Sequence, residues 1–177
     1  LLPARFKKSH QVISGLFIAL ICIGVMNMPF ILKSGIIFDT RSIIISVTAL
    51  IFGLVPTAIA ATAAIVMRLA IGGTGSLPGI MVIIASAVIG LAWRRWLYPE
   101  AGKLRALNII AMSIAVHIAM LLLMLFLPYP DNIEVLGAIT LPVLLIYPLA
   151  TLFLCLLLMR QQTLRNTREE LRQSEEK

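Results

Sequence analysis

Charge is scarce in this sequence. Asp, Glu, Lys and Arg make up 13% of its 177 residues, where a soluble domain carries roughly 25%, so water is not the solvent for most of the chain. Cysteine is nearly absent: Cys22 and Cys155 both sit inside apolar runs. That excludes a disulfide framework and leaves no zinc-type spacing. No nucleophile, base and orienting partner can be assembled on one side of a membrane, and no metal-ligand cluster or nucleotide-phosphate motif exists. Neither a catalytic centre nor a cofactor is therefore expected. The net charge of +7 does not signal nucleic acid either, because the basic residues form no aromatic-interleaved patch and instead flank apolar segments.

What the chain has is apolar length, 60% of it being hydrophobic. Apolar runs cover Val12 to Leu32, Ser42 to Phe52, Pro56 to Ile71, Gly79 to Leu97, Ala106 to Leu127 and Val135 to Met159. The runs starting at 12, 79, 106 and 135 can each cross a core of ~30 Å at about 1.5 Å per residue. Residues 42–71 as one rod would measure about 45 Å, so Gly53 and Pro56 are read as a break between two short helices in a tight hairpin. The expected fold class is all-α: a polytopic membrane helix bundle of about six transmembrane helices over residues 1–159, with the second and third forming the hairpin. The sequence opens on Leu1 and closes on charged residues, as expected of a piece of a longer protein, and its first apolar run is long enough to span rather than be cleaved.

The distribution of Lys and Arg sets the expected orientation. Arg5, Lys7 and Lys8 precede the first run, Arg94, Arg95, Lys103 and Arg105 separate the fourth from the fifth, and Arg160, Arg165, Arg168, Arg172 and Lys177 follow the last. These three segments are expected in the cytoplasm of a bacterial cell, both termini included. The connection Pro128 to Glu134 carries Asp131 and Glu134 without a base and is expected outside. An even number of crossings satisfies both assignments. Beyond Met159 the character changes: Leu157, Leu164 and Leu171 recur at heptad spacing among Arg, Gln and Glu. Residues 160–177 are read as a cytoplasmic signalling helix, either half of a parallel dimeric coiled coil or an ordinary solvated helix end.

Three basic residues, Lys33, Arg41 and Arg68, fall on the outer side against the general bias. Arg68 lies within an apolar helix, where an unpaired charge costs about 2.5–3.5 kcal/mol on insertion scales. A hairpin brings Arg41 and Arg68 to the same membrane face, and two guanidinium forks facing one cavity form a clamp for a carboxylate or phosphate. The alternative is that Arg41 pairs with Asp39 and both arginines snorkel to headgroups. After Arg68 comes Gly72-Gly73-Thr74-Gly75-Ser76-Leu77-Pro78-Gly79, whose glycines admit an anion to backbone N–H groups while Thr74 and Ser76 add hydroxyls. Asn27, in the outer half of the first helix, is a further candidate for the cavity. His117, central in the fifth helix, is either functional or a neutral histidine bonded to a neighbouring helix. Thr57 to Ala64, Ser86 and Gly90 are small residues that allow close helix approach.

The stretches Phe38-Asp39-Thr40-Arg41, Phe52-Gly53-Leu54-Val55-Pro56 and Met67-Arg68-Leu69-Ala70-Ile71-Gly72-Gly73 resemble the LytS-type transmembrane sensor domain of bacterial histidine kinases and some diguanylate cyclases. The ending Leu171-Arg172-Gln173-Ser174-Glu175-Glu176-Lys177 is similar to the junction leading into their PAS domains. The resemblance implies a homodimeric input domain that binds a small, pyruvate-like carboxylate through Arg41 and Arg68 and reaches a response regulator only through domains outside this chain. Unlike many relatives, Thr74 to Gly79 carries no cysteine. The helix arrangement also resembles the substrate-binding subunits of energy-coupling-factor transporters, so a solute-binding transport subunit is the rival expectation, and a ligand-free sensor of membrane state the third.

Overall fold

The computed structural model describes residues 8–28, 30–33, 36–101 and 106–175. The basic residues at 5, 7, 103, 105 and 177 lie outside these. Six α-helices occur among the described residues: α1 (Lys8–Asn27), α2 (Arg41–Ile51), α3 (Leu54–Ile71), α4 (Ser76–Ala101), α5 (Ala106–Leu123) and α6 (Asp131–Glu175). All but α2 are long and apolar enough to cross a membrane. With 11 residues, α2 is about 16 Å long and reaches roughly half way through a hydrocarbon core.

The expected break between the second and third helices is present. Gly53 has φ 85° and ψ −163°, a conformation essentially reserved for glycine, and it turns the chain from α2 back into α3. Thr57 Oγ1 donates to Gly53 O at 2.7 Å, and Arg94 of α4 donates through Nη1 to Leu50 O at 2.7 Å and Ile51 O at 2.6 Å. Arg94 thereby satisfies carbonyls that the end of α2 leaves without helical partners.

Between α1 and α2 the structure departs from the expectation of a continuous first run to Leu32. α1 stops at Asn27, and β1 (Phe30–Lys33) pairs antiparallel with β2 (Ile36–Phe38), Phe30 facing Phe38. Pro29 disfavours helical backbone in the residue before it, and the Ile- and Phe-rich residues on either side of Ser34-Gly35 suit strands. The two strands link the end of α1 to the start of α2.

Small residues set the packing distances, as the sequence indicated. A Cβ added to Gly90 of α4 would lie 2.7 Å from both Ala49 Cβ and Ser46 O of α2, and one added to Gly15 of α1 would lie 3.1 Å from Pro56 Cα of α3. Backbones at that separation gain dispersion contacts that lipid cannot supply. Ser86 and Thr48 return their hydroxyls to Val82 O and Ile44 O within their own helices, so they bring no unsatisfied group into the core.

α6 is one helix of 45 residues, about 67 Å long. Its apolar part ends at Leu164. Within it, Pro142 and Pro148 each remove one i→i−4 hydrogen bond. Of the expected heptad positions, Leu164 is 52% exposed, and the side chain of Leu171 lies outside the described residues.

Candidate functional site

Arg41 opens α2 and Arg68 lies in the last turn of α3. Both are interior residues: Arg41 is 6% exposed and Arg68 1%. A guanidinium at such depth is costly unless its donors are engaged. Asp39 answers for Arg41, with Oδ2 accepting from Nη1 at 2.6 Å and Oδ1 accepting from the Arg41 backbone N–H at 2.9 Å. Arg68 Nη1 donates to Gly72 O at 3.2 Å.

The two side chains converge on Gly79 of α4. A Cβ at that position would lie 2.8 Å from Arg68 Nε and 3.0 Å from Arg41 Nη2, so one added carbon would touch both guanidinium groups. Beside them opens a small cavity of about 30 Å³, whose polar lining is formed by Asp39, Arg41, Ser42, Arg68, Gly75 and Gly79. The rest of the lining is apolar: Val82, Met120, Met124 and Leu127. Arg41 Nε and Ser76 Oγ are buried without a hydrogen-bond partner; Ser76 is the first residue of α4, next to Gly75, and is not itself part of the cavity lining.

The other two sequence candidates lie elsewhere. Asn27 is exposed and spends its amide on Ile23 O at 2.8 Å, and Thr74 is exposed on the turn. Neither lines the cavity. α1 packs mainly on α3, and Asn27 at its end stays exposed. The sequence alone also underestimated Asp39, treated there only as a local partner, and Gly79, whose lack of a side chain is what admits both arginines.

Beneath the cavity runs a buried polar chain. Ser42, which also lines the cavity, has Oγ 3.5 Å from His117 Nε2, and His117 Nδ1 lies 2.6 Å from Ser113 O. Ser113 Oγ donates to Thr151 Oγ1 of α6 at 2.9 Å, and Thr151 donates to Tyr147 O at 2.8 Å. The Tyr147 ring stands edge-on to His117 at a centroid distance of 5.0 Å. Ser42, Ser113, His117 and Thr151 are all at most 1% exposed. His117 thus meets Ser42 of α2 and Ser113 of its own helix rather than facing lipid. Among the described residues, no group of three His, Cys, Asp or Glu side chains could hold a metal ion.

The family model described as 5TMR of 5TMR-LYT matches residues 1–161. The chain belongs to the 5TMR-LYT family. A 5TMR-LYT domain is a membrane sensor domain of signalling proteins, and the five long apolar helices of this one make it a multi-pass membrane protein. No curated protein and no solved structure matches the chain. The resemblance carried by Arg41, the Gly53–Pro56 break and Arg68 therefore agrees with the family to which residues 1–161 of this 5TMR-LYT domain are assigned.

Proposed function

We propose that this 5TMR-LYT domain is the input module of a bacterial sensor, most plainly a histidine kinase or diguanylate cyclase, and that it detects a small carboxylate in the cavity beside Arg41 and Arg68. In this reading it sits in the cytoplasmic membrane, the β1–β2 sheet faces outward, both termini are cytoplasmic, and residues 160–177 lead as a paired helix in a homodimer towards output domains that engage a response regulator. The observation that carries the reading is the convergence of two interior guanidinium groups on Gly79. Planar forks recognise carboxylates bidentately, and a buried clamp of this kind has no structural need that an apolar pair would not meet with less desolvation.

A ligand shifts output only through differential affinity for two states. The route from the cavity is the chain Ser42, His117, Ser113, Thr151, which ends on α6 beside Pro148. A single 45-residue helix leaving the bundle supports the sensor reading over solute transport, which has no use for such an extension. The test is binding of pyruvate to the chain in lipid nanodiscs. Pyruvate stabilises the wild type by mass action, and Arg68→Ala weakens binding by about 10- to 150-fold, the equivalent of one charge-assisted contact of roughly 1.5–3 kcal/mol. An unchanged affinity in Arg68→Ala removes the site.

A further inference from the structure

The cavity has two chemically distinct parts to its lining, and together they specify more than an anion. We infer that it selects a monocarboxylate carrying a short hydrocarbon tail, over a dicarboxylate of the same length and over the tailless acid; this rests on the carboxylate reading above.

Charge sets the first half of the preference. Three charged side chains line the cavity, Arg41, Arg68 and Asp39, which leaves one positive charge in excess. Asp39 is fixed there: its side chain is 1% exposed and both oxygens are held by Arg41. One carboxylate neutralises that excess. A second would bring an uncompensated negative charge into a low-dielectric interior beside the Asp39 carboxylate.

The apolar lining sets the second half. Val82 is 4% exposed, Met120 4%, Met124 6% and Leu127 3%, and all four belong to one core cluster with Val135 and Ile139 of α6. The side chains on that wall offer no donor for a second carboxylate. They do offer apolar contact to a tail, and two of the four are methionines, unbranched thioethers that reshape around irregular groups. Tail length is then read by the same core cluster that holds α6, which links ligand identity to the output helix.

The experiment is a binding series on the chain in nanodiscs with pyruvate, 2-oxobutanoate, 2-oxopentanoate and 2-oxoglutarate, the last being 2-oxopentanoate with its terminal methyl replaced by carboxylate. Affinity is expected to rise about fourfold per added methylene, the equivalent of ~0.8 kcal/mol, and 2-oxoglutarate to bind at least about tenfold more weakly than 2-oxopentanoate. Met124→Ser flattens the series, and Asp39→Asn narrows the gap between 2-oxoglutarate and 2-oxopentanoate; Met120→Ser serves in place of Met124→Ser if that variant fails to fold. A flat series in the wild type, or tightest binding of 2-oxoglutarate, overturns the inference while leaving the carboxylate site standing. Binding of none of the four acids overturns the site itself, and the inference with it.

Discussion

Gly79→Ala separates the site from the scaffold. Position 79 is in the first turns of α4, where Ala is favoured over Gly by about 1 kcal/mol of helix propensity, and no positive φ stands in the way. The added methyl would meet Arg68 Nε at 2.8 Å, Arg41 Nη2 at 3.0 Å and Arg68 Cδ at 3.2 Å. All three are outer atoms of long side chains, so the clash is relieved by moving the guanidinium groups, not α4. The fold should therefore survive, with a melting temperature within a few degrees of the wild type. The clamp should not survive, because two forks pushed apart can no longer address one carboxylate together. Losing one charge-assisted contact costs about 1.5–3 kcal/mol, which weakens pyruvate binding roughly 10- to 150-fold. Isothermal titration and thermal melting of the variant in nanodiscs measure both quantities. A Gly79→Ala variant that binds pyruvate as well as the wild type would show that the convergence of Arg41 and Arg68 has no part in recognition.

Other positions test the scaffold and the route to α6. Gly90→Ala places a methyl 2.7 Å from Ala49 Cβ and from the Ser46 carbonyl, against backbone that cannot swing aside, and should cost about 1–3 kcal/mol of stability; Gly24→Ala, with nothing within 4 Å, should be neutral or stabilising in the same melting assay. Arg94→Gln removes the guanidinium that meets Leu50 O and Ile51 O and should destabilise by roughly 2–3 kcal/mol, seen as faster amide exchange at the end of α2. Thr151→Val deletes the hydroxyl linking Ser113 to α6 and should leave pyruvate affinity within about twofold. It should also abolish the pyruvate-induced change in distance between spin labels at positions 107 and 161, with Thr151→Ser restoring it. A response that persists in Thr151→Val would exclude the polar chain as the route.

How far the sequence could be read depended on whether the deciding contact was local. The break at Gly53 was legible because glycine and a nearby proline are local signals, and it brought Arg41 and Arg68 together without any knowledge of tertiary packing. The strands at Phe30–Lys33 and Ile36–Phe38 were not, since a short apolar run has no periodicity that separates a strand from the continuation of a helix. Asn27 was misplaced for a different reason. Which helix α1 packs against decides whether its end faces the cavity, and that is a long-range fact. The same holds for Gly79, which reads as turn chemistry until α2 and α3 are placed beside it, and for the partnership of His117 with Ser42 and Ser113.

The two prolines of α6 give that rod a joint. Val135 and Ile139 lie before Pro142, in the cluster that walls the cavity, while Cys155 lies beyond Pro148, in the cluster around α2 and α5. A stiff lever seated in two separate sockets could move only as a whole, and both sockets would have to loosen at once. With two missing rungs between them, the segment holding Val135 and Ile139 can tilt against the one holding Cys155, so the angle between the two sockets is set at the prolines and not along the whole rod.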